Sequence, residues 1–198
     1  MMDDDAAGSG WQGEVPDPTP PGGTYSPAEA DQAAEIQEFW EVARFRTGLM
    51  RTAVVTGMSD VATVPPPSWS FGDTPTLADQ LLALVLEGTK TATASSVAEL
   101  EQAGEPMPRA GDLSIACDGA GRPRALLRTT TVEIVPFGEV DAEFARLEGE
   151  GDRSLEAWRR ERERYFRRVL AGSGTKFSTD LPLVLERFEL LYPPPSDI

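Results

Sequence analysis

The sequence predicts an α+β domain with a small barrel or a curled sheet, because short strand-like runs are interspersed with helical stretches. Three stretches show apolar residues at helical spacing, and several short runs show the composition of strands. Hydrophobic residues make up 40% of the 198 residues, which is enough for the core of one domain of this size.

The first two predicted helices carry start or stop signals. Ser26 can cap the first helix, and Glu29 completes a capping box. This helix is expected to end near Thr47. The second helix is predicted over about residues 75–87, and Gly88 follows it where a C-terminal glycine cap belongs.

The third helix is predicted to begin near Ser154 and to end at Gly172. Trp158 and Phe166 lie on the same helical face, so both are expected in the core, together with Leu155. We therefore expect this helix to pack against the sheet.

Strands are predicted near residues 112–117 and 124–135, with Gly119-Ala120-Gly121 as the turn between them. A last strand is predicted over about residues 184–192, before three prolines. Cys117 lies in the first of these apolar runs, so we interpret it as a buried, inert thiol.

The charge of the chain is strongly acidic and unevenly placed. The net charge is −15, and residues 1–25 carry five acids and no base, so 28 acids against 18 bases leave −10 for the rest. We predict a disordered acidic tail over residues 1–25 and one domain over residues 26–198, with an N-terminal helical extension. Because long nucleic acids need a basic surface, a short or single-nucleotide ligand suits this charge better.

Composition also excludes several kinds of chemistry. The chain has no histidine and one cysteine, which makes a metal site unexpected, and no cofactor is expected either. Any catalysis must use lysine, carboxylates, tyrosine or a hydroxyl. There is no apolar run of membrane-spanning length and no signal sequence, so we expect a cytoplasmic protein without a membrane partner. The oligomeric state is left open.

The two lysines are rare against sixteen arginines, and both stand in a Gly-Thr-Lys tripeptide. A lysine in so arginine-rich a chain indicates a position that needs a compact ammonium, which can also act as a base after burial. We favour function for Lys90 because hydroxyl residues follow it. For Lys176 we favour a surface turn.

The hydroxyl residues Thr91, Thr93 and Ser95 alternate with alanines after Lys90. In a regular strand, Lys90 and Thr93 would lie on opposite faces and could not share a site directly. If the chain turns or bulges after Gly88, the spacing of three brings them together. The alternative is an edge strand whose threonines serve strand propensity.

An acidic, glycine-spaced loop precedes the third helix. Glu148, Glu150 and Asp152 lie just before Arg153 and Ser154, where backbone N–H groups can bind an anion. The glycines permit a mobile loop that places a carboxylate in a site. The alternative is a solvated loop whose charges suit the helix dipole.

Two further features have both a functional and a structural interpretation. Trp69 and Phe71 can stack on a base, although such aromatic residues more often belong to the core. The third helix carries six arginines, interleaved with glutamates, which favours a mixed solvated face over an RNA groove.

Taken in order, these segments resemble the larger bacterial proteins of the ASCH family, which have the PUA-like barrel fold. The resemblance covers about residues 35–192 and rests on a series of motifs rather than on any single one. The motifs are Phe71-Gly72-Asp73, Leu77-Ala78 through Leu86, Gly88-Thr89-Lys90-Thr91-Ala92-Thr93, Gly111-Asp112, the stretch from Pro136-Phe137 to Val140-Asp141, Glu148-Gly149-Glu150-Gly151-Asp152-Arg153-Ser154-Leu155 with Trp158, and Leu185-Glu186-Arg187-Phe188-Glu189.

The resemblance implies a small PUA-like β-barrel flanked by helices, with a cleft between the Lys-Thr segment (residues 88–93) and the acidic loop (residues 148–154). It implies RNA or a small nucleoside or nucleotide as the partner. One bacterial branch hydrolyses the amide of N4-acetylcytidine, and another has been linked to RNA cleavage. The hypotheses are therefore a hydrolase of either kind or, as the alternative, a non-catalytic binding module.

Roles follow from the first branch residue by residue. Lys90 matches the proton acceptor, Thr93 the nucleophile and Glu150 the proton donor, with Glu148 as the alternative match. In the amide version, Thr93 attacks the acyl carbonyl and Glu150 protonates the departing amine.

The second branch implies a functional hydroxyl at Ser154. The sequence departs from that branch at Arg162, where histidine is expected after Trp158. The ligand-binding residues expected in the cleft are Trp69, Phe71, Thr91, Glu148, Asp152 and Arg153.

Overall fold

The computed structural model describes residues 26–49, 64–171 and 174–194. The predicted tail and the helix end predicted at Gly172 lie outside these residues. The described helices are α1 (Pro27–Arg46), α2 (Pro75–Leu86), α3 (Val97–Ala103), α4 (Ala142–Glu148) and α5 (Leu155–Val169). The described strands are β1 (Ser68–Ser70), β2 (Ala92–Ser96), β3 (Leu113–Cys117), β4 (Pro123–Pro136) and β5 (Pro182–Tyr192).

The five strands form one mixed sheet in the order β1-β3-β4-β5-β2. β1 runs parallel to β3, and every other neighbouring pair is antiparallel. The register shifts between Leu126 and Leu127 and between Thr129 and Thr131 on the long strand β4. Such irregularities bend a strand, and here the sheet forms a half-barrel. The predicted α+β class with a curled sheet is confirmed.

α1 begins and ends where its sequence signals predict. The Ser26 hydroxyl accepts a hydrogen bond from Glu29 N, and the Glu29 carboxylate accepts one from Ser26 N. Trp40 and Ala43 on this helix are buried against β3 and β4, together with Ile115. The helical extension is therefore packed onto the sheet.

The face of the sheet formed by β2 and β5 packs against α4 and α5. Trp158 is 6% exposed, and it lies in this core with Phe166 and the partly buried Leu155, as the sequence predicts. The Trp158 ring stacks on Phe137 with centroids 5.4 Å apart. This packing determines which face of α5 is turned to the β2 and β5 side of the sheet.

Cys117 is buried at the end of β3, as predicted. Burial raises the pKa of its thiol to about 11, with a further contribution from the neighbouring carboxylate of Asp118. The thiol is therefore protonated at neutral pH, which agrees with the interpretation of an inert cysteine.

Candidate functional site

The end of α2 directs Lys90 towards α5. Gly88 adopts a φ of +74°, a conformation that favours glycine. The backbone N–H groups of Thr89 and Lys90 then both donate to the carbonyl of Leu84, at 2.8 and 3.0 Å. The Thr91 N–H donates to the Leu147 carbonyl at 2.8 Å, which joins the Lys-Thr segment to the end of α4.

The acidic loop approaches the Lys-Thr segment closely at a second glycine. Gly149 has a φ of +75°, and a Cβ atom placed there would lie 2.7 Å from the carbonyl oxygen of Thr89. Only glycine fits this close approach without a shift of the backbone. It places the carboxylates of Glu148 and Glu150 beside Lys90.

Lys90 is 1% exposed and is surrounded by acceptors. Its Nζ donates to Glu148 Oε2 at 3.0 Å, to Glu150 Oε1 at 2.8 Å and to the Glu148 carbonyl at 3.3 Å. The ammonium also lies 5.6 Å from the centroid of the Phe71 ring. Its three N–H groups therefore all have acceptors, and no lone pair is free on this nitrogen.

Arg162 on α5 completes an ion-pair network with the same two carboxylates. Its Nη2 donates to Glu148 Oε2 and, at 2.7 Å, to Glu150 Oε1. We call Lys90, Glu148, Glu150 and Arg162 the buried quartet. Two cations and two anions make it neutral, so it satisfies the condition for keeping charges away from water.

The electrostatics of the quartet favour the charged forms of Glu148 and Arg162. Burial alone would raise the pKa of Glu148, but Arg162 and Lys90 hold it well below its usual value. Burial alone would likewise lower the pKa of Arg162, yet the charges of Glu148 and Glu150 raise it. The Trp158 indole N–H donates to Glu148 Oε1 at 3.0 Å, so both oxygens of this carboxylate have donors.

The less buried half of the quartet consists of Glu150 and Arg162, and we call this half the mouth of the site. The Glu148 side chain is 0% exposed, whereas those of Glu150 and Arg162 are 30% and 12% exposed. Beside this mouth, Arg168 on α5 forms an ion pair with Asp73 at 2.7 Å. This pair joins the segment after β1 to α5.

Thr93 lies apart from Lys90. β2 is regular, so Ala92 and Ala94 are buried towards the α5 side and Thr93 lies on the opposite face, paired across the strands with Glu186. Within the described part of the chain, no hydrogen bond joins Thr93 to Lys90. The strand itself is regular from Ala92 to Ser96, and the turn at Gly88, with a φ of +74°, precedes it.

Two residues of the acidic loop, Asp152 and Ser154, form hydrogen bonds at the start of α5. The Ser154 hydroxyl accepts from Ala157 N at 3.1 Å, and Asp152 accepts from Ser154 N at 2.9 Å. Arg153 is exposed, with a φ of +61°. None of these side chains bonds to the quartet among the residues that the structure describes. The hydroxyl expected to be functional at Ser154 is engaged as a helix cap.

The remaining ligand-binding candidates lie behind or beside the quartet. Phe71 is 2% exposed, and its ring centroid lies 4.4 Å from that of the half-buried Trp69. A base cannot stack on so buried a ring without rearrangement, so Phe71 belongs to the core. Thr91 is half-buried, and its carbonyl accepts from Phe188 N at 2.9 Å.

The structure adds Arg162 and Trp158 to the site. The sequence carried a signal for Arg162, which we noted only as a departure from the family pattern. It stands four residues after Trp158 and four before Phe166, on the face of α5 that contacts the core. A charged residue on an apolar face needs a buried partner, and the quartet supplies it.

The described residues show neither a metal-binding group nor a helix suited to crossing a membrane. They contain no group of three or more His, Cys, Asp or Glu side chains that is able to hold a metal ion. None of their helices combines the length and the apolar character needed to cross a membrane.

Comparisons with known proteins agree with the resemblance noted in the sequence. A crystal structure of an Enterococcus faecalis V583 protein, described as a member of DUF984, is 32% identical with a TM-score of 0.64, over 80% of this chain and 91% of that one. The ASCH domain of Lactobacillus crispatus JV V101 is 29% identical with a TM-score of 0.62, over 75% of this chain and 95% of that one. A search of curated proteins gave no match. Because the ASCH domain profile also matches residues 67–192, the chain belongs to the ASCH domain family, with the PUA-like fold.

Proposed function

We propose that the protein binds a modified nucleoside, or a nucleotide of RNA, in the cleft between the Lys-Thr segment and the acidic loop. The observation that carries the proposal is the buried quartet, in which a lysine that is 1% exposed is held between two carboxylates. Lys90 and Glu148 are fully removed from water, while Arg162 and Glu150 are partly exposed. Burying such charges costs free energy, and an apolar cluster of the same volume is often as stable. Function is the reason we propose for retaining them here.

The geometry favours binding over catalysis. The Lys90 ammonium donates to three oxygens, so it has no lone pair with which to accept a proton from Thr93. Thr93 also lies on the other face of β2. The described residues contain no histidine to replace Lys90 as a base, because the whole chain has none.

Hydrolysis of an acylated cytidine amide or of an RNA phosphodiester is the second candidate. The observation in its favour is the distance of 2.8 Å between Lys90 Nζ and Glu150 Oε1, which places a proton donor beside a carboxylate. For catalysis, the ligand must displace one of these contacts and free a proton acceptor.

Charge favours a small ligand over a long RNA. Arginines on α5 are paired with acids: Arg164 with Glu161, Arg167 with Glu163 and Arg168 with Asp73. A surface of such pairs offers little excess positive charge to phosphates. With a net charge of −15, we propose a nucleoside or a single nucleotide as the ligand rather than a long RNA, and we propose the cytoplasm as the place of binding.

The test is a panel of nucleosides that includes cytidine and N4-acetylcytidine, measured by calorimetry for binding and by mass spectrometry for product. We expect at least one nucleoside to bind with the same affinity to the wild type and to Lys176→Arg. We expect Glu150→Gln, at the mouth, to weaken binding about tenfold. Equal binding to Glu150→Gln, or no binding by any member of the panel, would contradict the proposal.

The same panel separates binding from hydrolysis through Lys90→Arg. Arginine keeps the positive charge but stays protonated, so it cannot act as a base. A binding protein forms no product with either the wild type or the variant. Product formed by the wild type and lost in Lys90→Arg, with binding retained, would establish the hydrolase instead.

A further inference from the structure

The buried quartet has an inner half, Lys90 and Glu148, that a ligand cannot reach. The Glu148 side chain is 0% exposed. Its Oε1 accepts from the Trp158 indole, and its Oε2 accepts from Lys90 and Arg162. Because both oxygens of Glu148 have donors and the side chain is covered, this residue positions the other members and does not contact a ligand.

The outer half keeps hydrogen-bonding groups that the quartet does not use. Arg162 contacts the two carboxylates through Nη2 alone, which leaves three N–H groups on Nε and Nη1. Glu150 accepts both of its bonds on Oε1, which leaves Oε2. Over the described ranges, the Trp40 indole nitrogen is the one buried polar side-chain atom without a hydrogen-bond partner. The unused atoms of Arg162 and Glu150 are therefore not fully buried, and the two side chains are 12% and 30% exposed.

We propose that Arg162 and Glu150 form a recognition edge that binds an uncharged, amide-like group, with an N–H donor beside an oxygen or nitrogen acceptor. The donor of the ligand meets Glu150 Oε2, and its acceptor meets the free N–H groups of Arg162. The inference rests on the proposed function for the place of the ligand, and it adds Arg162 as the residue that selects it. Nucleobase edges and acyl amides both present this pair of groups.

The charge balance of the quartet explains why the group is uncharged. Its two cations and two anions already pair with each other, so an anionic group at the mouth gains from Arg162 but meets Glu150. A cationic group is attracted by Glu150 but repelled by Arg162. A donor beside an acceptor satisfies both residues at once and leaves no buried charge without a partner.

A titration with small probes tests the edge without a nucleoside. The indole N–H signal of Trp158, assigned among the four tryptophans by its loss in Trp158→Phe, reports on the quartet through Glu148. Acetamide carries the donor and acceptor, whereas acetate and ethylammonium carry one charge each. We expect acetamide to shift the signal, and the two ions to shift it at least about threefold less at equal concentration. An equal response to the ions, or none to acetamide, would overturn the proposal.

Two variants test the residues themselves. Arg162→Lys keeps a positive charge for Glu148 and Glu150 but loses the planar donors, so the acetamide response should fall about tenfold. Arg164→Lys, the same substitution on an exposed position of α5, should leave it unchanged. Glu150→Gln is a second variant, which tests the acceptor if Arg162→Lys does not fold. A full response in the folded Arg162 variant, or in Glu150→Gln, contradicts the recognition edge.

The nucleoside panel then separates this inference from the proposed function. Cytidine and N4,N4-dimethylcytidine differ in the donor, so we expect the dimethylated form to bind about tenfold more weakly. If acetamide shifts the signal but no nucleoside binds, the edge stands and the proposed function fails. If nucleosides bind equally well to Arg162→Lys and to the wild type, the proposed function stands and the edge fails.

Discussion

Two segments with the same tripeptide, Gly-Thr-Lys, have opposite environments in this protein. Gly88 and Gly174 both adopt a positive φ, at +74° and +81°. Lys90 is nevertheless buried in an ion-pair network, whereas Lys176 is exposed. The two glycines therefore share a positive φ, and the difference between the lysines comes from what the rest of the chain places around each of them.

The partners of Lys90 come from two other elements of the fold. Glu148 ends α4 and Glu150 follows it in the acidic loop. Both carboxylates also pair with Arg162, which lies two turns into α5. After Lys176 the chain instead continues into Phe177, whose ring packs on Phe137 at 4.9 Å. A tripeptide alone does not define a site, because tertiary partners decide whether its charge is used.

The largest expected difference between the two segments is in stability. Lys90→Ala leaves the buried Glu148 with one cation fewer, so it should lower the free energy of unfolding by about 3–5 kcal/mol. Lys176→Ala should change it by less than about 0.5 kcal/mol. Urea unfolding of both variants measures this difference, and a cost below about 1 kcal/mol for Lys90→Ala would show that the quartet does not hold the fold together.

The pH dependence of the free energy of unfolding should also come from the surroundings of Lys90 rather than from those of Lys176. Because the folded pKa of Glu148 is lowered, its contribution is complete above the unfolded value of about 4.3 and is lost as the pH falls through the folded pKa. Glu148→Gln should therefore remove acid sensitivity on the order of 2 kcal/mol below about pH 4. Glu161→Gln, an exposed glutamate on α5, serves as the matched control. Identical pH profiles for the wild type and Glu148→Gln would refute this assignment.

A smaller difference in stability is expected between alanine substitutions at Gly149, near Lys90, and at Gly174, near Lys176. A Cβ at Gly149 would lie 2.7 Å from the Thr89 carbonyl, whereas one at Gly174 meets nothing within 4 Å. Both substitutions with alanine carry the strain of a positive φ, about 1 kcal/mol. Gly149→Ala should cost about 1 kcal/mol more than Gly174→Ala, measured by thermal unfolding. Equal costs would mean that the close approach of the two segments is not needed.

Much of the fold could be predicted because its signals are local. The capping box at Ser26, the glycine after α2 and the apolar face of α5 each lie within a few residues of the element they define. The short helices α3 and α4 were missed, although Ser96 and Glu99 form a second capping box. Seven residues are too few for a clear apolar period.

The site was predictable only in part, for a physical reason. The scarcity of lysine indicated Lys90, and the family resemblance indicated Glu150 with Glu148 as the alternative. The structure places both carboxylates on the lysine. The position of Thr93 depends on the register of β2 with β5, and the role of Arg162 depends on the packing of α5. Neither can be obtained from spacing along the chain.

The central claim is that the site includes Lys90 and that Lys176 lies outside it. Because the chain has two lysines, labelling lysine with ¹⁵N at Nζ gives an NMR spectrum with at most two ammonium signals. A buried, hydrogen-bonded ammonium should exchange its protons slowly and give a sharp signal for Lys90, which Lys90→Arg removes. On addition of N4-acetylcytidine or cytidine, the account predicts that this signal shifts and that of Lys176 does not. A Lys90 ammonium that exchanges as fast as Lys176, or a ligand that moves only the Lys176 signal, would contradict it.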